Sequence, residues 1–263
     1  MIQPLSFIHP DAKLAENVLV DPFTTIHKNV EIGEGTWIGS NVTIMSGARI
    51  GKGCKIFPGS VISGIPQDLK FGGEDSLAII GDHTTIRECV TINRGTSDTG
   101  KTVIGAHCLI MAYSHIAHDC TVGNYCVFSN NSTLAGHIVI GDHVILSGLV
   151  AIHQFCSVGD YAFISGGSLV RKDVPPFVKA AREPLSYVGI NSIGLRRNGF
   201  KTKKIHEIQN IYRILFQNKL NNARAIQVVE AEMIATPERD KIIQFVNKSK
   251  RGIMKGYLKK STI

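Results

Sequence analysis

The sequence of 263 residues lacks long apolar runs and paired cysteines. No run approaches the roughly 18–20 apolar residues that a membrane helix needs. Val144 to Ile152 is typical and is interrupted by Ser147 and Gly148. The start, MIQPLSFIHPD, has neither a basic segment nor an apolar one, so no signal peptide is expected and a cytoplasmic location is. The six cysteines form no CxxC pair, which argues against a zinc ribbon or a dithiol motif. Charged residues are only 19% and hydrophobic ones 43%, which excludes a disordered chain.

What is present is a period of six. An aliphatic residue recurs at Ile8, Leu14, Val20, Ile26, Ile32, Ile38, Ile44, Ile50, Ile56 and Ile62. The series resumes at Ile80, Ile86 and Ile92, and runs again from Ile104 to Val170, with Phe128 its one non-aliphatic member. Four residues after each stands a small or β-branched residue, and Cys54, Cys108, Cys120, Cys126 and Cys156 all fall there. Those cysteines read as small core residues, and only Cys89 is off the pattern. Glycine often follows the aliphatic residue directly, as at Gly33, Gly51, Gly105 and Gly123, where it suits a turn with φ > 0. A period of six fits neither a helix nor simple alternation. It fits a short strand plus a turn, three of which close one coil of 18 residues. Two stretches, 63–79 and 93–103, interrupt the hexads without losing their register and read as loops.

The period fades after Pro175-Pro176, and 177–200 reads as irregular or as a last partial coil. Helical spacing then appears at Ile205, Ile208, Ile211, Tyr212 and Leu215. A second helix is expected over 222–235, and a third from the Thr236-Pro237 cap. The formal net charge is +8, but 191–263 carries 16 Lys+Arg against 5 Asp+Glu, and 1–190 carries 13 against 16. This shift sets two domains, 1–190 and a basic helical one at 191–263. The cluster RRNGFKTKK is either a solvated face or a dock for an acidic protein or a phosphate. It has no interleaved aromatics and no recognition motif, so nucleic acid is not the expected partner.

Residues 18 apart become neighbours on successive coils. His118, Gly136 and Gln154 form such a column, with His137 and His153 beside it and His115 three residues before His118. A lone histidine is ordinarily a solvent or core residue, but four on one patch are harder to dismiss. The patch suits either zinc binding or general-base catalysis by a neutral imidazole. Asp119 could orient the His118 ring only if a turn brings two adjacent side chains together.

The hexads resemble the left-handed parallel β-helix of the hexapeptide-repeat acyltransferases. The segments PQDLKF, HIAHDCTVGN, AGH, HQF, DVPPFV and NSIGLRRNGF together resemble the UDP-N-acetylglucosamine O-acyltransferase family over essentially the whole chain. That resemblance implies an all-β solenoid followed by a small helical domain. It implies transfer of a 3-hydroxyacyl group from acyl carrier protein to the sugar 3-hydroxyl of UDP-N-acetylglucosamine, the first step of lipid A synthesis. No cofactor or metal is implied. His118 would be the base, supported by Asp119, with the Gly136 N–H stabilising the oxyanion. Gln67, Asp68, Lys70, His115 and His137 would position the sugar and the acyl hydroxyl. His153 and Gln154 would serve the nucleotide and acyl side, Asn191 and Arg197 the nucleotide, and Gly166 the acyl chain. Arg196, Lys201, Lys203, Lys204, Arg213 and Lys219 would dock the acidic carrier. The family's sites lie between subunits of a homotrimer. One departure is Ile193, where the family commonly has Glu.

Two rivals remain. A related N-acyltransferase normally has a domain before its repeats, whereas the hexads here start at Ile8. A γ-type carbonic anhydrase would bind zinc, with differently spaced ligands and no helical tail of this size.

Overall fold

The structure is a computed structural model describing residues 1–217 and 220–256. Lys219 lies outside the described residues. The chain alternates short strands with turns, and three strands make one coil. The coils stack into three sheets, of nine, eight and eleven strands among the described residues. Pairing in the stack is parallel, with Thr25 opposite Thr43, Thr43 opposite Val61, and His115 opposite Thr133. Within a coil the chain passes from the nine-stranded face to the eight-stranded one and then to the eleven-stranded one.

The aliphatic member of each hexad points into the prism. Ile26, Ile44, Ile62, Ile116 and Leu134 are completely buried, as is Phe128. Each such burial is worth about 1.5–3 kcal/mol, and stacking makes the column continuous. The small position does more than fill space. Thr24 donates to the Gly39 carbonyl at 2.7 Å and Thr36 to Gly51 at 2.8 Å, while the Cys120 and Cys126 thiols reach the Ala135 and Gly141 carbonyls at 3.1 Å. Burial pushes the Cys120 thiol up to about 12 and the Cys156 thiol up to about 11.

The expected role of the glycines is corrected. Gly33, Gly51, Gly105 and Gly123 do not have positive φ; the left-handed position lies elsewhere in the turn, at residues such as Asn17, His107, Asp119 and His137. The glycines are needed because coils touch there. A Cβ on Gly105 would lie 2.5 Å from the Gly123 oxygen, and one on Gly33 would lie 2.6 Å from the Gly51 carbonyl carbon.

The two loops are shorter than expected. Strands Val61–Gly64 and Leu77–Ile80 bound the first, leaving 65–76, and Thr91–Asn93 and Lys101–Ile104 bound the second, leaving 94–100. The strands lengthen because Leu77–Ile80 pairs with Lys101–Ile104 over four residues. Both loops leave the prism at the corner between the nine- and eight-stranded faces.

Residues 177–200 are more regular than expected. Val178–Ala181 and Ser186–Ile190 form an antiparallel hairpin on the eleven-stranded sheet. Four helices follow: α1 Ser192–Arg197, α2 Thr202–Gln217, α3 Asn222–Glu232 and α4 Pro237–Lys248. Asn191, Asn221 and Thr236 cap α1, α3 and α4 with their side chains. α3 ends three residues before Ala235, because Met233 is extended and its carbonyl accepts from Arg239 at 2.7 Å. The chain then returns, and Lys255–Gly256 pairs with Ser186–Tyr187. Tyr212 of α2, fully buried, donates to the Pro176 carbonyl at 2.6 Å. Helices and sheet thus share one core at this end, which covers the last sheet edge. No helix among the described residues is long and apolar enough to cross a membrane.

Candidate active site

The corner that carries both loops also carries the histidines. Asp119 has φ +60°, and this left-handed turn swings its side chain beside that of its neighbour. His118 Nδ1 and Asp119 Oδ2 are 2.7 Å apart. The Asp119 side chain is fully shielded, while His118 keeps 12% of its surface exposed. Among the described residues, His118 Nε2 has no hydrogen-bond partner.

Burial alone would raise the Asp119 carboxyl. The Thr99 hydroxyl, the His118 ring, and the Thr96 hydroxyl and N–H overcome that and hold it down at about 2. It is therefore a carboxylate at neutral pH, and the hydrogen on His118 belongs on Nδ1. In the neutral ring the unpartnered Nε2 is then a lone pair. His115 is also held below its usual range, by burial first and the neighbouring His118 second. Its Nδ1 meets the Thr91 hydroxyl at 2.7 Å.

Gly136 sits directly against the His118 ring. A Cβ there would lie 2.6 Å from His118 Cε1, so only glycine fits. Among the described residues the Gly136 N–H has no protein acceptor. A lone pair and an unused N–H donor therefore stand on adjacent coils.

His118, Asp119 and His137 offer ligand atoms all within 4.8 Å of one another. A cation there would have to displace existing donors, because both Asp119 oxygens are occupied. Oδ1 accepts from Thr96 N and Thr99, and Oδ2 accepts from Thr96 Oγ1 and faces His118. This donor set suits a carboxylate that orients a ring better than it suits a metal.

The family model described as UDP N-acetylglucosamine O-acyltransferase, domain 2, matches residues 173–254, and the hexapeptide transferase repeat matches 29–64 and 101–136. An acyl-[acyl-carrier-protein]–UDP-N-acetylglucosamine O-acyltransferase of Sulfurihydrogenibium is 54% identical over 96% of this chain and 93% of its own. This chain belongs to that family. The counterpart from Trichlorobacter lovleyi is 52% identical over 97% of this chain and 99% of its own. The crystal structure of the Bacteroides fragilis UDP-N-acetylglucosamine acyltransferase superposes with a TM-score of 0.96 at 51% identity, covering 97% of this chain and 100% of that one.

The residues expected at the site of this family divide into groups within one chain. His118, Asp119, Gly136 and His137 come together, with the His118 and His137 rings 5.0 Å apart. His153 and Gln154 continue the corner one coil on, exposed, with His153 Nδ1 3.1 Å from the Gln154 carbonyl. Gln67 lines a cleft of about 270 Å³ with Thr91, the partner of His115. Asp68 and Lys70 bond within their own loop, Lys70 N to Asp68 Oδ1 at 3.0 Å, and among the described residues neither bonds to a histidine.

Gly166 and Asn191 lie elsewhere. Gly166 is at the corner between the eleven- and nine-stranded faces, where a Cβ would meet the Gly148 oxygen at 3.1 Å. Asn191 and Arg197 line a cleft of about 300 Å³ against the eleven-stranded face, together with Ile193. The Asn191 side chain is already engaged, to the Tyr161 carbonyl at 2.9 Å and the Gly194 N–H at 3.2 Å.

Sequence reasoning missed Thr96, Asp98, Thr99 and Thr102. The available signal was that the second insertion, whose position was seen, is rich in hydroxyls. Phe155 was also missed; it stacks on His137 at 4.6 Å from the next coil.

Proposed function

We propose that this chain transfers a 3-hydroxyacyl group from acyl carrier protein to the 3-hydroxyl of UDP-N-acetylglucosamine, the first step of lipid A biosynthesis, with His118 as general base. The observation that carries this reading is His118 held between Asp119 and Gly136, with Nε2 free. Nε2 takes the proton of the sugar hydroxyl as its oxygen attacks the thioester carbon. Asp119 stabilises the imidazolium that forms. The Gly136 N–H donates to the oxyanion of the tetrahedral intermediate. Collapse breaks the carbon–sulfur bond, and the departing thiolate takes the proton from Nε2, which restores the base.

The other residues follow from position. His115, beside the Gln67 cleft, and His137 serve the sugar and the acyl hydroxyl, with Asp68 and Lys70 on the loop above. His153 and Gln154 extend the site along the corner. Arg197 suits a phosphate of the nucleotide, in a cleft whose wall carries Ile193 where a carboxylate is common in the family. Since the Arg197 cleft and the His118 corner belong to different faces of one prism, a corner of one subunit against a face of the next completes the site in a homotrimer. Gly166 then borders the acyl chain. Arg196, Lys201, Lys203, Lys204 and Arg213 form the basic surface for the acidic carrier. Lys204 is partly engaged, pairing with Glu207 at 2.7 Å and Glu238 at 3.2 Å.

The test is acyl transfer to UDP-N-acetylglucosamine from a panel of 3-hydroxyacyl carrier proteins. The expected result is acylation at the sugar 3-hydroxyl, abolished by His118→Ala. Full activity of folded His118→Ala would overturn the base, and no transfer from any donor would overturn the activity.

A further inference from the structure

We propose that Thr96 and Thr99 are positioning residues for the acyl transfer: carried on the 94–100 loop, they hold the Asp119 carboxylate against His118 Nδ1 and so fix which ring nitrogen faces the substrate. This rests on the reading of His118 as the base.

The geometry is specific. Thr99 Oγ1 lies 2.5 Å from Asp119 Oδ1 and 2.8 Å from the Lys101 carbonyl; the carboxylate oxygen is both nearer and charged, so the hydroxyl proton belongs to it. Thr96 donates twice, from its N–H to Oδ1 at 3.0 Å and from its hydroxyl to Oδ2 at 2.7 Å. With His118 on Oδ2, four donors meet a carboxylate that has about four acceptor sites. Asp119 is held from its backbone as well, its N–H donating to Thr102 Oγ1 at 2.9 Å.

The loop is itself braced. Ser97 N–H donates to Glu74 Oε1 at 2.8 Å, and the Ser76 hydroxyl to the Gly95 carbonyl at 2.6 Å, so the longer insertion supports the shorter one. The loop also reaches the second histidine, with Asp98 Oδ2 3.1 Å from His137 Nδ1.

A buried carboxylate short of one donor is destabilised as an anion. It relaxes by rotating away from His118 or by taking a proton, and either outcome leaves the ring tautomer unfixed. The charged and titratable groups around it are His118, His137 at 3.9 Å, Asp98 behind His137, His115 beyond His118, and the adjacent Cys120 thiol.

The experiment compares wild type, Thr99→Val, Thr99→Ser, Thr96→Val and His118→Ala in steady-state acyl transfer, with thermal melting and acid unfolding of each. Valine keeps the shape of threonine and removes the hydroxyl. Thr99→Val is expected to lower kcat about tenfold, the worth of one charge-assisted hydrogen bond, with KM for both substrates unchanged. Its acid unfolding should begin at a higher pH than that of wild type, since Asp119 then protonates more readily. Thr99→Ser should restore both. Thr96→Val, which keeps the N–H bond, should show the same effects.

Wild-type kcat and acid unfolding in Thr99→Val, beside an inactive His118→Ala, overturns this proposal and leaves the base intact. A loss that appears in KM alone, or that follows a lowered melting temperature and is not restored by serine, overturns it equally. An active His118→Ala overturns the reading on which it rests.

Discussion

Chemistry at the His118 corner depends on backbone placement as much as on residue type. Adjacent side chains on a strand point apart, and only the left-handed φ at Asp119 lets it meet His118. Gly136→Ala should therefore lower kcat at least a hundredfold while the protein still folds, since the new methyl displaces the ring and not the core; kcat and melting temperature measured together check this. Asp119→Asn should lower kcat by about 10²–10⁴, because an amide cannot hold the same tautomer or offset the imidazolium. The folded-state carboxyl of Asp119, at about 2, lies below its ordinary 3.8. Its contribution to stability is thus present above about pH 4 and is lost as pH falls toward 2. Acid unfolding of wild type should accordingly be steeper than that of Asp119→Asn over that window. The histidine column was legible because residues 18 apart had to stack. The threonines were not, because loop conformation has no period from which to read it.

Turns and strands show a similar division. The hexads predicted the strands, the inward residues and the place of both insertions. They misplaced the reason for glycine, because a six-residue repeat marks a position without saying whether torsion or proximity demands it. The two demands separate by mutation. Gly105→Ala forces a Cβ into the next coil and should destabilise more than Gly35→Ala, where φ is +66° and no atom lies within 4 Å of the added Cβ. The second substitution carries only the backbone cost of about 1–2 kcal/mol. Urea denaturation of the two variants gives the comparison. The hairpin and α1 were illegible for a different reason: their residues pack against α2 and the returning Lys255–Gly256, so local pattern does not define them.

At the scale of the molecule, the expected site is spread over a corner and a different face of the same prism. Mixing His118→Ala with Arg197→Ala, each nearly inactive, and letting subunits exchange should restore partial activity that neither parent has. No recovery, with exchange confirmed by mass spectrometry, would place the whole site in one subunit. The period of six has a last consequence, for insertions and deletions. Removing one residue from a strand such as Val127–Phe128 would turn every following inward side chain outward, so the damage travels the rest of the coil. Removing one from 65–76 or 94–100 leaves the coil intact, because the next strand re-enters in phase. The prism thus tolerates changes of length only where its loops leave it, and one of those places is the loop that grips Asp119.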